Sequence, residues 1–160
     1  MNSINKLAIA MAAAISLVAP LAAQGASTPV SLTGDVKAEK VVVGADGKER
    51  IELVEPTAII PGDKLVFGTD YASNAAEAVS NFVVTNPLPA AVRLAPEADP
   101  ALTVSVDGGK TFGALAALTI TNSDGTTRPA AHADVTHVRW VLASIAPGEK
   151  GRLSYPAIIR

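Results

Sequence analysis

The sequence contains no cysteine. That absence excludes a disulfide framework, a thiol nucleophile, a thiolate zinc site and a lipid-modified N-terminal cysteine. Aromatic residues are scarce, with three Phe, two Tyr and one Trp, so a sugar platform of stacked rings has few rings to draw on. Histidine is scarcer still. His132 and His137 are five positions apart and would fall on opposite faces of a strand. Even with Asp134 nearby they make no metal set, and they read as a loop histidine and a sheet-face histidine. Charged residues are 18% of the chain, intermixed in sign and without a basic stripe, which argues against a nucleic-acid partner. Helical periodicity is missing outside the N-terminus. The best seed beyond it, Ala114–Leu118, is too short and too close to Gly113 for more than one turn.

The N-terminus carries a clear pattern. Lys6 is followed by the uncharged apolar run Leu7–Ala19, then Pro20 and the small residues Ala22, Ala23, Gly25 and Ala26. This is the layout of a secretory signal peptide over residues 1–25. The run is too short to cross a bilayer core, which needs about 20 residues. The expectation is export to the periplasm or the medium, with no membrane insertion after cleavage. One domain is expected over residues 26–160. Lys6 is the one charge of the leader, which leaves 12 of the 13 basic and all 15 acidic residues in the remainder, a formal charge of −3.

Within 26–160 short apolar alternations recur, punctuated by Gly and Pro about every ten residues. Val30 and Leu32 alternate with Ser31 and Thr33, and Asp35–Val43 follows. Gly44-Ala45-Asp46-Gly47 is a hairpin signal, with Glu49–Glu55 as the return strand. Pro61-Gly62-Asp63 reads as a tight turn in which Asp63 bonds the backbone just after it, launching a strand over Lys64–Ser73. A strand over Ala78–Asn86 ends in Pro87-Leu88-Pro89. An irregular crossing over 87–101 follows, with Val92–Leu94 extended. Leu102, Val104 and Val106 alternate, Asp107-Gly108-Gly109 turns, and Leu118 and Ile120 alternate before the turn Asn122–Gly125. Residues 126–134 read as a polar, Ala-rich loop. Val135–Ile145 and Arg152–Ile159 are the last strands, separated by Pro147-Gly148. The pattern predicts an all-β, immunoglobulin-like antiparallel sandwich of about seven to nine strands. One buried cluster is expected to hold Leu65, Phe67, Tyr71, Phe82, Val138, Trp140, Leu142, Leu153 and Tyr155.

In this order and spacing the motifs resemble a known family. They are Pro61-Gly62-Asp63, Leu65–Tyr71, Asn74, Val83 to Ala90, Trp140, Ile145-Ala146-Pro147-Gly148 and Gly151-Arg152-Leu153. The chain resembles, over about residues 50–160, the conserved-repeat domain of bacterial surface proteins, a domain of unknown function (number eleven). Asn86 stands where that family usually has Asp, and one copy stands here where the family usually has several in tandem. The resemblance implies an immunoglobulin-like sandwich in an extracellular setting and no enzyme activity.

No residue presents itself as catalytic, cofactor-binding or metal-ligating. Asp46-Gly47, Asp107-Gly108 and Asp124-Gly125 each offer one isolated acid, which suits a turn rather than calcium. No Gly-x-Ser-x-Gly elbow or His-Glu-x-x-His helix occurs. A Lys–Asn or Lys–Asp isopeptide crosslink needs a buried lysine, and Lys37 and Lys40 are the candidates. Phe112 is the ring with the best claim to exposure. The expected function is an exported, non-catalytic structural or adhesive module with protein partners at the cell envelope. Residues 28–33 are either its first edge strand or a donor that adds to the sheet of a neighbouring molecule. The alternative function is a soluble extracellular ligand-binding module, for instance for glycans, using loops 87–101 and 107–134.

Overall fold

The computed structural model describes residues 28–160. The expected signal peptide, 1–25, lies outside the described residues. The chain forms eleven strands and no α-helix among those described: β1 (Val30–Val43), β2 (Glu49–Val54), β3 (Lys64–Ser73), β4 (Val79–Pro87), β5 (Val92–Leu94), β6 (Thr103–Ser105), β7 (Gly113–Ala114), β8 (Thr119–Thr121), β9 (Thr127–Pro129), β10 (His137–Ile145) and β11 (Lys150–Ile159). One sheet runs β2-β1-β3-β11-β5 and the other β4-β10-β6-β7, with β8 and β9 paired as a separate ribbon. Nine strands therefore build an antiparallel sandwich, as the alternation predicted.

Two turns that launch strands share one construction. In Ile60–Asp63 and Ala146–Glu149, Pro takes the second position and Gly the third, with φ +98° at Gly62 and +73° at Gly148. Only Gly takes that backbone readily. The acid at the fourth position bonds backward: Asp63 Oδ2 accepts from the Ile60 N–H at 2.9 Å, and Glu149 Oε2 from the Ala146 N–H at 2.8 Å. Asp63 thus closes its own turn instead of capping the backbone after it. Ile159 N–H then donates to the Asp63 carbonyl, fastening the end of β11 beside the first turn.

The core joins the two sheets through Leu65, Tyr155 and Ala157 on one side and Val104 and Val138 on the other. Phe67 stacks on Tyr155 with centroids 5.2 Å apart, and Trp140 packs against the same cluster. Tyr71, Phe82, Leu142 and Leu153 are only half-buried and lie outside that cluster, contrary to expectation. They sit toward the opposite end of the facing sheets. The crossing segment supplies Val92, Leu94, Ala98 and Leu102 to one end only. Alternation assigns a face to each residue but says nothing about which part of that face a loop will cover.

Two local readings also change. The two segments expected over Val30–Thr33 and Asp35–Val43 are one continuous strand, because Gly34 pairs with Thr69 in register. The 126–134 loop contains β9 and a 3₁₀ turn at His132–Asp134. Of the two arrangements open to residues 28–33, this chain shows the one within its own domain: Val30–Ala38 pairs with β3, and Val30 is buried.

Candidate functional site: a projecting ribbon

β1 is longer than the sheet that supports it. Its first part, Val30–Ala38, pairs with β3, and its last part, Ala38–Val43, pairs with β2 on the other side. The β1–β2 hairpin therefore extends past β3 as a two-stranded ribbon. The turn that reverses it is well formed, with Gly47 at φ +72° and Gly44 N–H donating to the Lys48 carbonyl at 2.9 Å. One face of the ribbon carries Val41 and Val43 from β1 and Ile51 and Leu53 from β2, with Glu49 opposite Val43 and Glu39 opposite Leu53. The four aliphatic side chains are 61%, 68%, 65% and 52% exposed. Leaving four such side chains in water forgoes about 1.5–3 kcal/mol each relative to full burial. An isolated two-stranded ribbon is marginal in water, and this one is held to its sheet through β1, with no cover over these four side chains among the described residues.

The far edge of β2 pairs with no strand among the described residues. Charged side chains flank it: Lys48, Glu49, Arg50 and Glu52. Arg50 donates to Asp46 at 2.8 Å, and Lys37 pairs with Glu55 at the base of the ribbon. Lys40 is exposed and Lys37 is engaged by Glu55, so neither is the buried lysine that an isopeptide crosslink needs.

The other candidate residues have structural roles. Asp107 closes its turn by accepting from the N–H groups of Lys110 and Thr111 and from the hydroxyls of Ser105 and Thr111. The Thr111 N–H and hydroxyl, followed by Ser105, hold its carboxyl well below the usual carboxylate range. The spacing Ser105-x-Asp107-x-Gly109-x-Thr111 was the signal for this closed loop. Asp124 accepts from the Thr126 N–H and hydroxyl, and Asp46 from the Lys48 N–H, so both also shape turns. His137 lies on the outer face of its sheet with Arg139 and Val141, as alternation predicted. Phe112 is half-buried: the Arg139 guanidinium covers it at 3.4 Å from the ring centroid and also donates to Thr85. No cluster of three His, Cys, Asp or Glu side chains able to hold a metal occurs among the described residues.

A cleft of about 440 Å³ opens between the crossing segment, β6 and the 3₁₀ turn Leu115–Ala117. Leu94, Leu102 and Leu115 line it, with Asp99 and His132 as its polar groups. No Phe, Tyr or Trp lines it.

Sequence reasoning also missed two salt links. Arg128 and Asp134 form a two-pronged pair at 2.6 and 2.7 Å beside β9. Arg152 spans three strands to reach Asp35 and Asp70. The partners are distant or unpatterned in sequence, and only the sheet register brings them together. Comparison with family models, curated proteins and solved structures returns no match for this chain.

Proposed function

We propose that this chain is an exported, non-catalytic structural or adhesive module of the bacterial envelope or extracellular space, and that it works through protein–protein contacts. The exposed apolar face of the projecting ribbon carries the reading, because a surface of four large aliphatic side chains on a marginal hairpin is stabilised by a partner. The leader-like residues 1–25 and the resemblance to a surface-protein domain support the setting. A photo-crosslinking residue at Val41 is expected to give protein adducts in the envelope fraction, and one at Ser154 is expected to give none. N-terminal sequencing of the same material is expected to begin between about Ala23 and Thr28. No adduct at Val41, or an intact Met1 in the membrane, overturns the reading.

A second reading rests on the cleft. Its volume falls in the range of small-ligand sites, and its lining fits a compact apolar ligand better than a glycan, which usually stacks on a Trp, Tyr or Phe face. Saturable binding of a small apolar probe, lost in Leu102→Arg, would move this reading to first place.

A further inference from the structure

The edge of β2 has a sequence that complements itself. In the β1–β2 ladder, the Gly44–Lys48 bond fixes which pairs exchange hydrogen bonds. Bonded and non-bonded pairs alternate along an antiparallel ladder. Val42–Arg50, Lys40–Glu52 and Ala38–Val54 are therefore bonded inward to β1. Glu49, Ile51 and Leu53 direct their N–H and C=O groups away from the ribbon, where no strand meets them among the described residues. β2 contains no proline and no positive-φ residue that would blunt this edge.

Three antiparallel registers would let at least two of these three residues in each strand bond to the same groups of another β2. Centred on Arg50, the register sets two arginines face to face. Centred on Glu52, it sets two glutamates face to face. Centred on Ile51, it sets Arg50 opposite Glu52 twice, pairs Ile51 with Ile51, and uses the outward groups of Glu49, Ile51 and Leu53 in both strands. This register alone makes the full set of backbone bonds with opposite charges abreast. Within one copy Lys40 already lies opposite Glu52. The charged face then reads Lys40, Glu52, Arg50 across the junction, alternating in sign. On the other face Val41 and Ile51 of both copies line up in one row across the junction, and Glu49 of each copy stands opposite Leu53 of the other. Two marginal ribbons become a four-stranded sheet, which passes the size at which sheets hold together in water.

We propose that β2 joins β2 of a second copy of this chain, antiparallel, about a two-fold axis through Ile51. The proposal rests on the protein-contact reading above and names its partner.

Because the protein has no cysteine, single substitutions report the register without background. In the proposed dimer, the Cα atoms of the two Ile51 residues lie about 5.5 Å apart, within disulfide reach. Under mild oxidation, Ile51→Cys should give a covalent dimer. Glu49→Cys and Leu53→Cys should not, since like positions there are about 13 Å apart. In sedimentation equilibrium, Arg50→Glu and Glu52→Arg should each weaken the dimer by about tenfold, and the double exchange should restore it. The circular dichroism of every variant is expected to match that of the parent chain. Dimers that crosslink fastest at another position, or that ignore the charge exchange, overturn the proposal and leave the protein-contact reading standing. A monomer at high concentration whose Val41 still captures a different envelope protein does the same. A monomer that captures nothing overturns both.

Discussion

Gly68 has no side chain, and the Arg152 guanidinium occupies the place where one would stand. A Cβ built on Gly68 would overlap Arg152 and the Asp35 carboxylate. Arg152 lies across β11, β3 and β1, donating to Asp70 at 2.9 Å and to Asp35 at 2.5 Å. Hydrogen bonds to Asp70 and then Asp35 hold its guanidinium charge more firmly than usual. A glycine within a strand weakens it unless something uses the space, and here a side chain from the neighbouring strand does. Gly151 and Tyr71 repeat the arrangement on the inner face, where the Tyr71 ring covers the glycine.

Gly68→Val should therefore destabilise the protein by about 1–3 kcal/mol through overpacking. Exposed ion pairs contribute little, so Arg152→Ala alone should lower the melting temperature only slightly. In the Arg152→Ala background, Gly68→Val should cost less than it does alone. Chemical denaturation of the four proteins tests this coupling, and simple additivity would show that the two residues do not compete for space.

Tyr155 anchors the core more than Trp140 does. It is 2% exposed, stacked on Phe67 and 6.2 Å from the Trp140 ring. Tyr155→Ala should cost about 3–5 kcal/mol, and half-buried Trp140→Ala should cost less. Urea midpoints would order the two. Burial also pushes the Tyr155 phenol up to about 12. A group with a raised folded pKa contributes stability that is intact below its unfolded value near 10. Stability should hold to about pH 10 and fall as pH rises toward 12, and Tyr155→Phe should remove that alkaline loss.

On the acid side, Asp107 and Asp134 act in the opposite sense. The Arg128 hydrogen bonds, foremost among the causes, lower the Asp134 carboxyl to about 2. A depressed folded pKa contributes stability above the unfolded value near 4 and loses it as pH falls through the folded value. The 107–111 turn and the segment around Arg128 should therefore loosen between about pH 4 and pH 2. Amide exchange should report it first at the Thr111 and Ala131 N–H groups, which donate to these carboxylates. Unchanged protection at pH 2.5 would contradict it.

Removing residues 26–34 should unfold the domain. Val30 is buried, Leu32 pairs with Tyr71, and the Asn74 N–H donates to the Pro29 carbonyl. Deletion removes five of the nine β1–β3 pairs and leaves Thr69–Ser73 as a new edge. Loss of a cooperative melting transition is the expected result. A folded truncated chain would return residues 28–33 to the role of a donor strand for neighbouring molecules.

The sequence by itself determined the all-β class, the bounds of β3 and the turns at Gly47, Gly62, Gly125 and Gly148, because alternation and positive-φ glycines are local properties written in consecutive residues. Alternation also placed His137 on the face away from Trp140. It could not show that Val41, Val43, Ile51 and Leu53 remain uncovered, since their pattern is the same as that of a strand inside a core. Whether a face is buried depends on what crosses it: these four share the outer face of their sheet with Asp35 and Lys37, while Val36 and Ala38 on the other face pack against the core. The tertiary structure also decided that the crossing from Val92 to Leu102 fills one end of the sandwich and leaves Tyr71 and Phe82 half-buried at the other. It alone set Arg152 beside Asp35, 117 positions away. Such pairs carry no local signature, because sheet register, not chain proximity, brings them within hydrogen-bond reach.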